Sequence, residues 1–268
     1  MAGVSSYGVV TARESADVIE LRVEELQRVG YTLLPSGLEP ARVEEFGTLL
    51  DAVYARQAAE RDSASLDDSA DANVARCLLA YDERFLELAT NPALLGLCER
   101  VFGESFVLLQ QNGVINRPAR GHYQQRWHRD LPFQHWVASA PMAIAALFCV
   151  DAFEVSTGGT HALPGSHRHE EFPSDAFVSR HERPIEAPPG TFIVMDSMMF
   201  HRAGDNASEA ARRAVNHLVG RPFLAQQIDL PSALGGAHAN DPFLSRYLGY
   251  RWAPAASVEA WRRARLDG

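Results

Sequence analysis

The sequence predicts a mainly β fold, a barrel or sandwich of short strands with flanking helices that buttress it. Three observations predict it. Apolar residues recur at helical spacing through the first hundred positions, and from Ser105 they gather instead into runs of strand length. Turns rich in Gly, Pro and Asn separate those runs. The 268 residues can bury a substantial core, and no repeat, low-complexity tract or linker divides them. We therefore expect one domain over 1–268: a helical N-terminal buttress at about 1–104, a β core at about 105–223 and a C-terminal extension at about 224–268.

Taken in order, Ser15 to Val29 places Val18, Ile19, Leu21, Val23, Leu26 and Val29 near helical spacing, and Gly30 follows as a stop signal. YTLLP (31–35) reads as a short strand. Pro40 opens a second amphipathic helix carrying Val43, Phe46, Leu49, Leu50, Val53 and Tyr54. The stretch 61–73 is polar and acidic and reads as a loop; two more helices follow, around Asp82–Ala89 and Pro92–Phe102. FVLLQQNGVIN, MAIAALFCVDAF, GTFIVMDSMMFH and RRAVNHLVG are the main strand candidates, and a last helix is expected at Ser257–Leu266.

A net charge of −9 with no basic run argues against a nucleic-acid binder and leaves a small molecule as the expected partner. Cys77, Cys98 and Cys149 are odd in number and widely spaced, which is neither a disulfide framework nor a C-x-x-C zinc site. The first twenty residues lack a basic segment followed by an apolar one, and no apolar stretch approaches a membrane span. These features together predict a cytoplasmic protein that engages no membrane.

Chemistry concentrates at RWHRD (126–130), where His128 and Asp130 stand one residue apart. H-x-D alone is a weak motif. It gains meaning if a distant histidine completes a 2-His-1-carboxylate set, which holds Fe(II) on one face and leaves positions open. His201, at the end of the apolar run TFIVMDSMMF, is the best candidate. Arg212 stands eleven residues further on, where a guanidinium could pair bidentately with the remote carboxylate of an iron-bound 2-oxoacid. Arg212 and Arg213 are adjacent, so one faces in and one out, and strand alternation does not choose between them.

INRP (115–118), WHRDLPF (127–133), GGTHALPGSH (158–167) and HRAGDNASEAARR (201–213) resemble, in order, the motifs of the phytanoyl-CoA dioxygenase family of Fe(II)/2-oxoglutarate oxygenases. The resemblance implies a double-stranded β-helix (jelly-roll, cupin-like) core and the cofactors Fe(II), 2-oxoglutarate and O2. It implies His128, Asp130 and His201 as iron ligands and Arg212 as the 2-oxoglutarate anchor. It also implies Arg117 as a basic residue near the co-substrate and Thr160 as a hydroxyl on the same carboxylate. Some members carry a serine two residues after the distal histidine; here that position is Ala203, which raises interest in Thr160.

Trp127, His135, Gln125 and Asn112 are candidates for the substrate pocket, each with a plain packing or solvent-facing alternative. Asp196 is a candidate partner for a ligand imidazole, with a strand-end role as its alternative. His167 reads as a loop-stabilising residue. The retained Asp130 argues against halogenation, since halogenating members replace that carboxylate with a small residue. The implied reaction oxidises an unactivated C–H of a small molecule, by hydroxylation, desaturation or cyclisation, while 2-oxoglutarate yields succinate and CO2. Ala- and Arg-rich usage points to a high-GC bacterium, where such enzymes tailor natural products, and a sugar-containing antibiotic precursor is the substrate expectation. A metal-dependent hydrolase and a non-catalytic jelly-roll binder are the rivals. Succinate release from 2-oxoglutarate with Fe(II) and ascorbate separates them.

Overall fold

Asp17 starts the first helix, α1 (Val18–Val29), by accepting the Glu20 N–H, and Gly30 ends it at φ 97°. A side chain at Gly30 is excluded on two grounds: the left-handed φ, and a β carbon that would lie 2.6 Å from His167 Nδ1. The computed structural model describes residues 7–9, 17–60, 72–118, 121, 123–131 and 136–266. After α1 come β1 (Tyr31–Pro35), α2 (Pro40–Glu60), β2 (Val74–Ala75), α3 (Leu86–Ala89) and α4 (Pro92–Phe102). Most of the polar stretch expected as a loop, 61–71, lies outside the described residues. The helix expected over 82–89 divides into a 3₁₀ turn, Glu83–Phe85, and α3, because Asp82 caps the Arg84 N–H and tightens the first turn.

The β core comprises β3 (Val107–Asn116), β4 (Ala143–Cys149), β5 (Thr160–Ala162), β6 (Arg183–Ile185), β7 (Thr191–Asp196), β8 (His201–Ala203) and β9 (Arg212–Gly220). Six strands form one antiparallel sheet in the order β1-β7-β4-β9-β3-β2, and β6-β5-β8 form a second. Short helices α5 (Asp175–His181), α6 (Leu230–Ala233), α7 (Leu244–Tyr247) and α8 (Val258–Ala264) complete the described α-helices.

Strand alternation divides the apolar side chains of the large sheet between two cores. Ile144, Ala146, Phe148, Phe192, Val194, Val215 and Val219 face the helices, where Phe46 meets Phe148 edge-on at 6.1 Å. Ala145, Leu147, Ile193, Met195, Ala214 and Leu218 face the space between the sheets. Full burial of a side chain such as Phe148 contributes roughly 1.5–3 kcal/mol. The helices sit tightly on β3: a β carbon on Gly113 would come within 2.1 Å of Leu50 Cδ1.

Two irregularities aim the interior. A bulge between Leu108 and Gln110 shifts β3 against β9, so Leu109 and then Gln110, Asn112 and Val114 line the inner cavity. The run read as one strand to His201 is broken. β7 ends at Asp196, whose Oδ1 accepts the Met198 N–H and turns the chain. His201 therefore opens β8, in the other sheet, instead of ending a strand.

Candidate metal centre and co-substrate cleft

His128 and His201 face each other across a β-bridge. The His128 N–H donates to His201 O at 3.0 Å and the His201 N–H returns to His128 O at 3.1 Å. Their rings lie 4.4 Å apart between centroids. The Asp130 N–H, on the same side of the extended segment, donates to Ser197 O at 3.0 Å. One ligand atom from each of His128, Asp130 and His201 lies within 4.8 Å of the others, and Asp130 Oδ1 stands 3.8 Å from His201 Nε2.

Each imidazole is oriented by a backbone carbonyl. Nδ1 of His128 lies 2.8 Å from Arg126 O, and Nδ1 of His201 lies 3.0 Å from Met199 O. A carbonyl only accepts, so Nδ1 carries the proton and the lone pair of each ring is on Nε2. These carbonyls take the supporting role considered for Asp196, which is engaged with Met198. Asp130 Oδ2 is buried with no hydrogen-bond partner among the described residues. A buried carboxylate oxygen without a donor is costly unless a cation completes it. Two neutral imidazole nitrogens and that oxygen are a donor set that fits Fe(II).

Arg129, between the two ligand candidates, points the other way and holds the segment in place. Its guanidinium donates to Met198 O at 2.8 Å, Glu170 O at 3.1 Å and Ser166 O at 3.3 Å, and also to His169 O. It lies 3.8 Å over the Phe200 ring, and burial lowers its pKa. Ser166 Oγ in turn accepts the Phe200 N–H at 2.9 Å, one residue before His201. His167 Nε2 reaches Gln27 O at 3.1 Å, consistent with a loop-stabilising role. The LPGSH stretch thus supports the site from behind.

A narrow cleft lined by His128, Asp130, Thr160, His201, Arg212 and Asn216, among others, runs inward from these ligand atoms. Arg212 is 2% exposed, and its Nη2 donates to Gly158 O at 2.8 Å. Its guanidinium lies 4.0 Å over Phe153 and its Nε has no partner among the described residues. Burial pushes its pKa down to about 10, so it stays charged at neutral pH. No described carboxylate pairs with it in an ion bridge. Arg213 faces outward and is saturated: Asp151 takes its Nε at 2.9 Å, Asp51 takes its Nη1 at 2.8 Å, and its pKa is raised by these partners.

Gly158 positions the carbonyl under Arg212, and its φ of +71° and a β carbon 2.7 Å from Gly204 O leave room for glycine alone. Thr160 lines the cleft directly across the strand pair from Ala203. Asn112 lines the larger cavity that opens beside the cleft, where its amide is tied to the Cys77 N–H and Gln227. The structure does not bring Arg117, Trp127 or Gln125 to the cleft. Arg117 turns to Tyr54 and Asn73, at 3.2 and 3.1 Å, because the N-terminal helices cover that end of β3. Trp127 packs between Arg202 and Phe172, and Gln125 bonds Asp205. His135 lies outside the described residues. Asn216, which lines both spaces, was missed, although counting by twos from Arg212 along β9 reaches it.

The family model for phytanoyl-CoA dioxygenase matches residues 26–214. The chain belongs to the phytanoyl-CoA dioxygenase family. It is an Fe(II)/2-oxoglutarate-dependent dioxygenase by that membership. Among similar chains, the uncharacterized protein Rv1501 of Mycobacterium tuberculosis is 32% identical over 219 residues, 79% of each chain. Dioxygenase af480 of Aspergillus fumigatus is 26% identical, covering 76% of this chain and 69% of that one. Two solved structures share the jelly-roll fold. EctD from S. alaskensis, determined with 2-oxoglutarate and 5-hydroxyectoine, superposes with a TM-score of 0.63 at 18% identity, covering 80% of each chain. SnoK, a carbocyclase from nogalamycin biosynthesis, superposes at 0.60 and 17% identity, covering 75% of this chain and 83% of that one. No described helix is long and apolar enough to cross a membrane.

Proposed function

We propose that this dioxygenase binds Fe(II) through His128, Asp130 and His201, anchors 2-oxoglutarate on Arg212, and oxidises an unactivated C–H of a small natural-product molecule by hydroxylation or oxidative cyclisation. The observation that carries the reading is the pairing of two incomplete sites in one cleft. At one end the buried Asp130 Oδ2 has no hydrogen-bond partner among the described residues, and at the other the buried Arg212 guanidinium pairs with no described carboxylate. A metal at the first and the remote carboxylate of 2-oxoglutarate at the second would satisfy both.

When bound, iron and 2-oxoglutarate together supply an oxidant derived from dioxygen, and 2-oxoglutarate leaves as succinate and CO2. The protein's contribution is positioning. Arg126 O and Met199 O keep both imidazoles in the metal-binding tautomer, and Arg129 locks the His-x-Asp segment against the turn before His201. Phe153 fixes the plane of the Arg212 guanidinium, and Thr160 offers a hydroxyl where Ala203 across the strand has none. Val114, Leu147 and Met195 line the cleft and exclude water, which strengthens the charge pairing. The segment after β9, which contributes Phe223, Leu224 and Gln227 to the larger cavity, would carry selectivity.

Slow 2-oxoglutarate turnover without a prime substrate is the test, because it needs no knowledge of that substrate. Protein supplied with Fe(II), ascorbate, dioxygen and 2-oxoglutarate should release succinate, and His201→Ala should not. Folded, iron-loaded protein that leaves 2-oxoglutarate untouched would contradict the reading.

A further inference from the structure

His128 and His201 pair antiparallel, so Trp127 stands opposite Arg202 and Arg129 stands opposite Phe200. Alternation turns these side chains away from the imidazoles, onto the back of the bridge. Each cross-strand pair joins a guanidinium to a ring: Arg129 lies 3.8 Å over Phe200, and Arg202 lies 5.4 Å from the Trp127 ring. One cation comes from each side of the bridge, so the two pairs cross it in opposite directions.

The connection between β5 and β6 passes behind this bridge and touches it at both ends and in the middle. At one end the carbonyls of Ser166, His169 and Glu170 accept from Arg129. At the other, Glu182, the residue that closes α5, accepts from Arg202 Nη2 at 3.1 Å. Between them Phe172 meets both pairs at once. Its ring lies 4.9 Å from Phe200, edge-on at 87°, and 6.1 Å from Trp127 at 48°. Arg202, Trp127, Phe172, Phe200 and Arg129 thus form one continuous row across the back of the bridge.

Trp127 and Phe200 each immediately precede a ligand candidate, so a shift of either ring passes through one peptide bond to an imidazole. Phe172 is 44% exposed, so its burial adds little to the core. An exposed phenylalanine is ordinary by itself. Phe177 is a comparison of that kind: it is 48% exposed, and its described ring contact is to His181, within its own helix, at 4.3 Å. Phe172 differs in joining two rings that lie on opposite sides of the bridge, each beside a ligand.

We propose that Phe172 is a positioning residue of the metal centre: its ring ties Trp127 to Phe200 and so fixes the spacing of His128 and His201 from behind. This rests on the assignment of the iron site to His128, Asp130 and His201. Aromatic edge and face contacts are directional, so a ring at this position holds an orientation that an aliphatic side chain of similar size does not. Metal ligands held in place by their supporting contacts keep the ion longer than ligands free to drift apart.

The test follows release of Fe(II) from the iron-loaded full chain to excess ferrozine under argon, a readout that requires no turnover. Phe172→Ala should release iron about three- to tenfold faster, the loss expected for one aromatic contact. Phe172→Leu should behave like Phe172→Ala, Phe172→Tyr should restore the wild-type rate, and Phe177→Ala should leave it unchanged. Thermal unfolding of the metal-free proteins is read alongside, and Phe172→Leu and Phe172→Tyr should melt alike. Wild-type release rates in Phe172→Ala overturn the proposal. So does Phe172→Leu retaining iron as well as Phe172→Tyr, which would reduce the contact to packing, and so does equal acceleration in Phe177→Ala. A wild-type chain that takes up no Fe(II) defeats the iron assignment itself, whereas a wild-type chain that holds iron no better than Phe172→Ala defeats this inference alone.

Discussion

Arg212 and Arg213 are adjacent, equally charged and opposite in expected effect. Among the described residues Arg212 makes one hydrogen bond, to Gly158 O, and one ring contact, to Phe153, and has no carboxylate partner. Burial brings its pKa down to about 10, so it stays charged at neutral pH and is available to pair with an anion in the cleft. Replacing it with alanine leaves the 2-oxoglutarate carboxylate unpaired in a closed cleft. Truncation of one partner of such a pair costs about 2–5 kcal/mol, or roughly 30-fold to several thousand-fold in dissociation constant at about 1.4 kcal/mol per tenfold. Arg213→Ala instead breaks the contacts to Asp151 and Asp51 on the helix side, lowering stability by about 1 kcal/mol with co-substrate affinity unchanged. Anaerobic titration of 2-oxoglutarate into the iron-loaded protein, followed by the charge-transfer band, measures both. Loss of affinity in Arg213→Ala with retention in Arg212→Ala would refute the register on which the cleft is built.

Arg129→Met should weaken iron retention about 10- to 100-fold without touching a ligand, because the His-x-Asp segment loses its anchor on four carbonyls; competition with a chelator reads it. Gly113→Ala should lower stability by about 1–3 kcal/mol by driving a methyl into Leu50, measured by thermal or urea unfolding. His217 is fully buried, with Nδ1 on Ala146 O and Nε2 on Gln111, and burial holds its pKa near about 4 against an unfolded value of 6.5. Between those values the unfolded chain binds the proton, so the contribution is complete above pH 6.5 and declines as pH falls toward 4, by roughly 3 kcal/mol. Urea unfolding across that range should have a steeper pH slope in the wild type than in His217→Gln, and equal slopes would count against the buried neutral ring.

Much of this was legible because it depends on local pattern. Pro92–Phe102 and Tyr31–Pro35 follow from apolar spacing and from Pro and Gly punctuation, and the structure has those bounds. The His-x-Asp pair and His201 were legible as chemistry. Their convergence was not, because it depends on the Asp196 turn that moves His201 into the second sheet. The inward choice of Arg212 over Arg213 depends on a two-strand register that alternation alone leaves open. Arg117 misled because a cation beside a matching motif says nothing about which neighbour claims it; Tyr54 and Asn73, more than forty residues earlier, do. Arg129 was overlooked because a buried arginine held by backbone carbonyls leaves no pattern in its partners' side chains.

The proposed iron site consists of His128, Asp130 and His201, with Arg212 serving a different ligand. Equilibrium dialysis against Fe(II) under argon, followed by metal analysis, addresses it without any substrate. One iron per chain is expected in the wild type and in Arg212→Ala, and strongly reduced iron in His128→Ala, Asp130→Ala and His201→Ala, all with wild-type far-UV circular dichroism. Folded His201→Ala that retains a full equivalent of iron would contradict it.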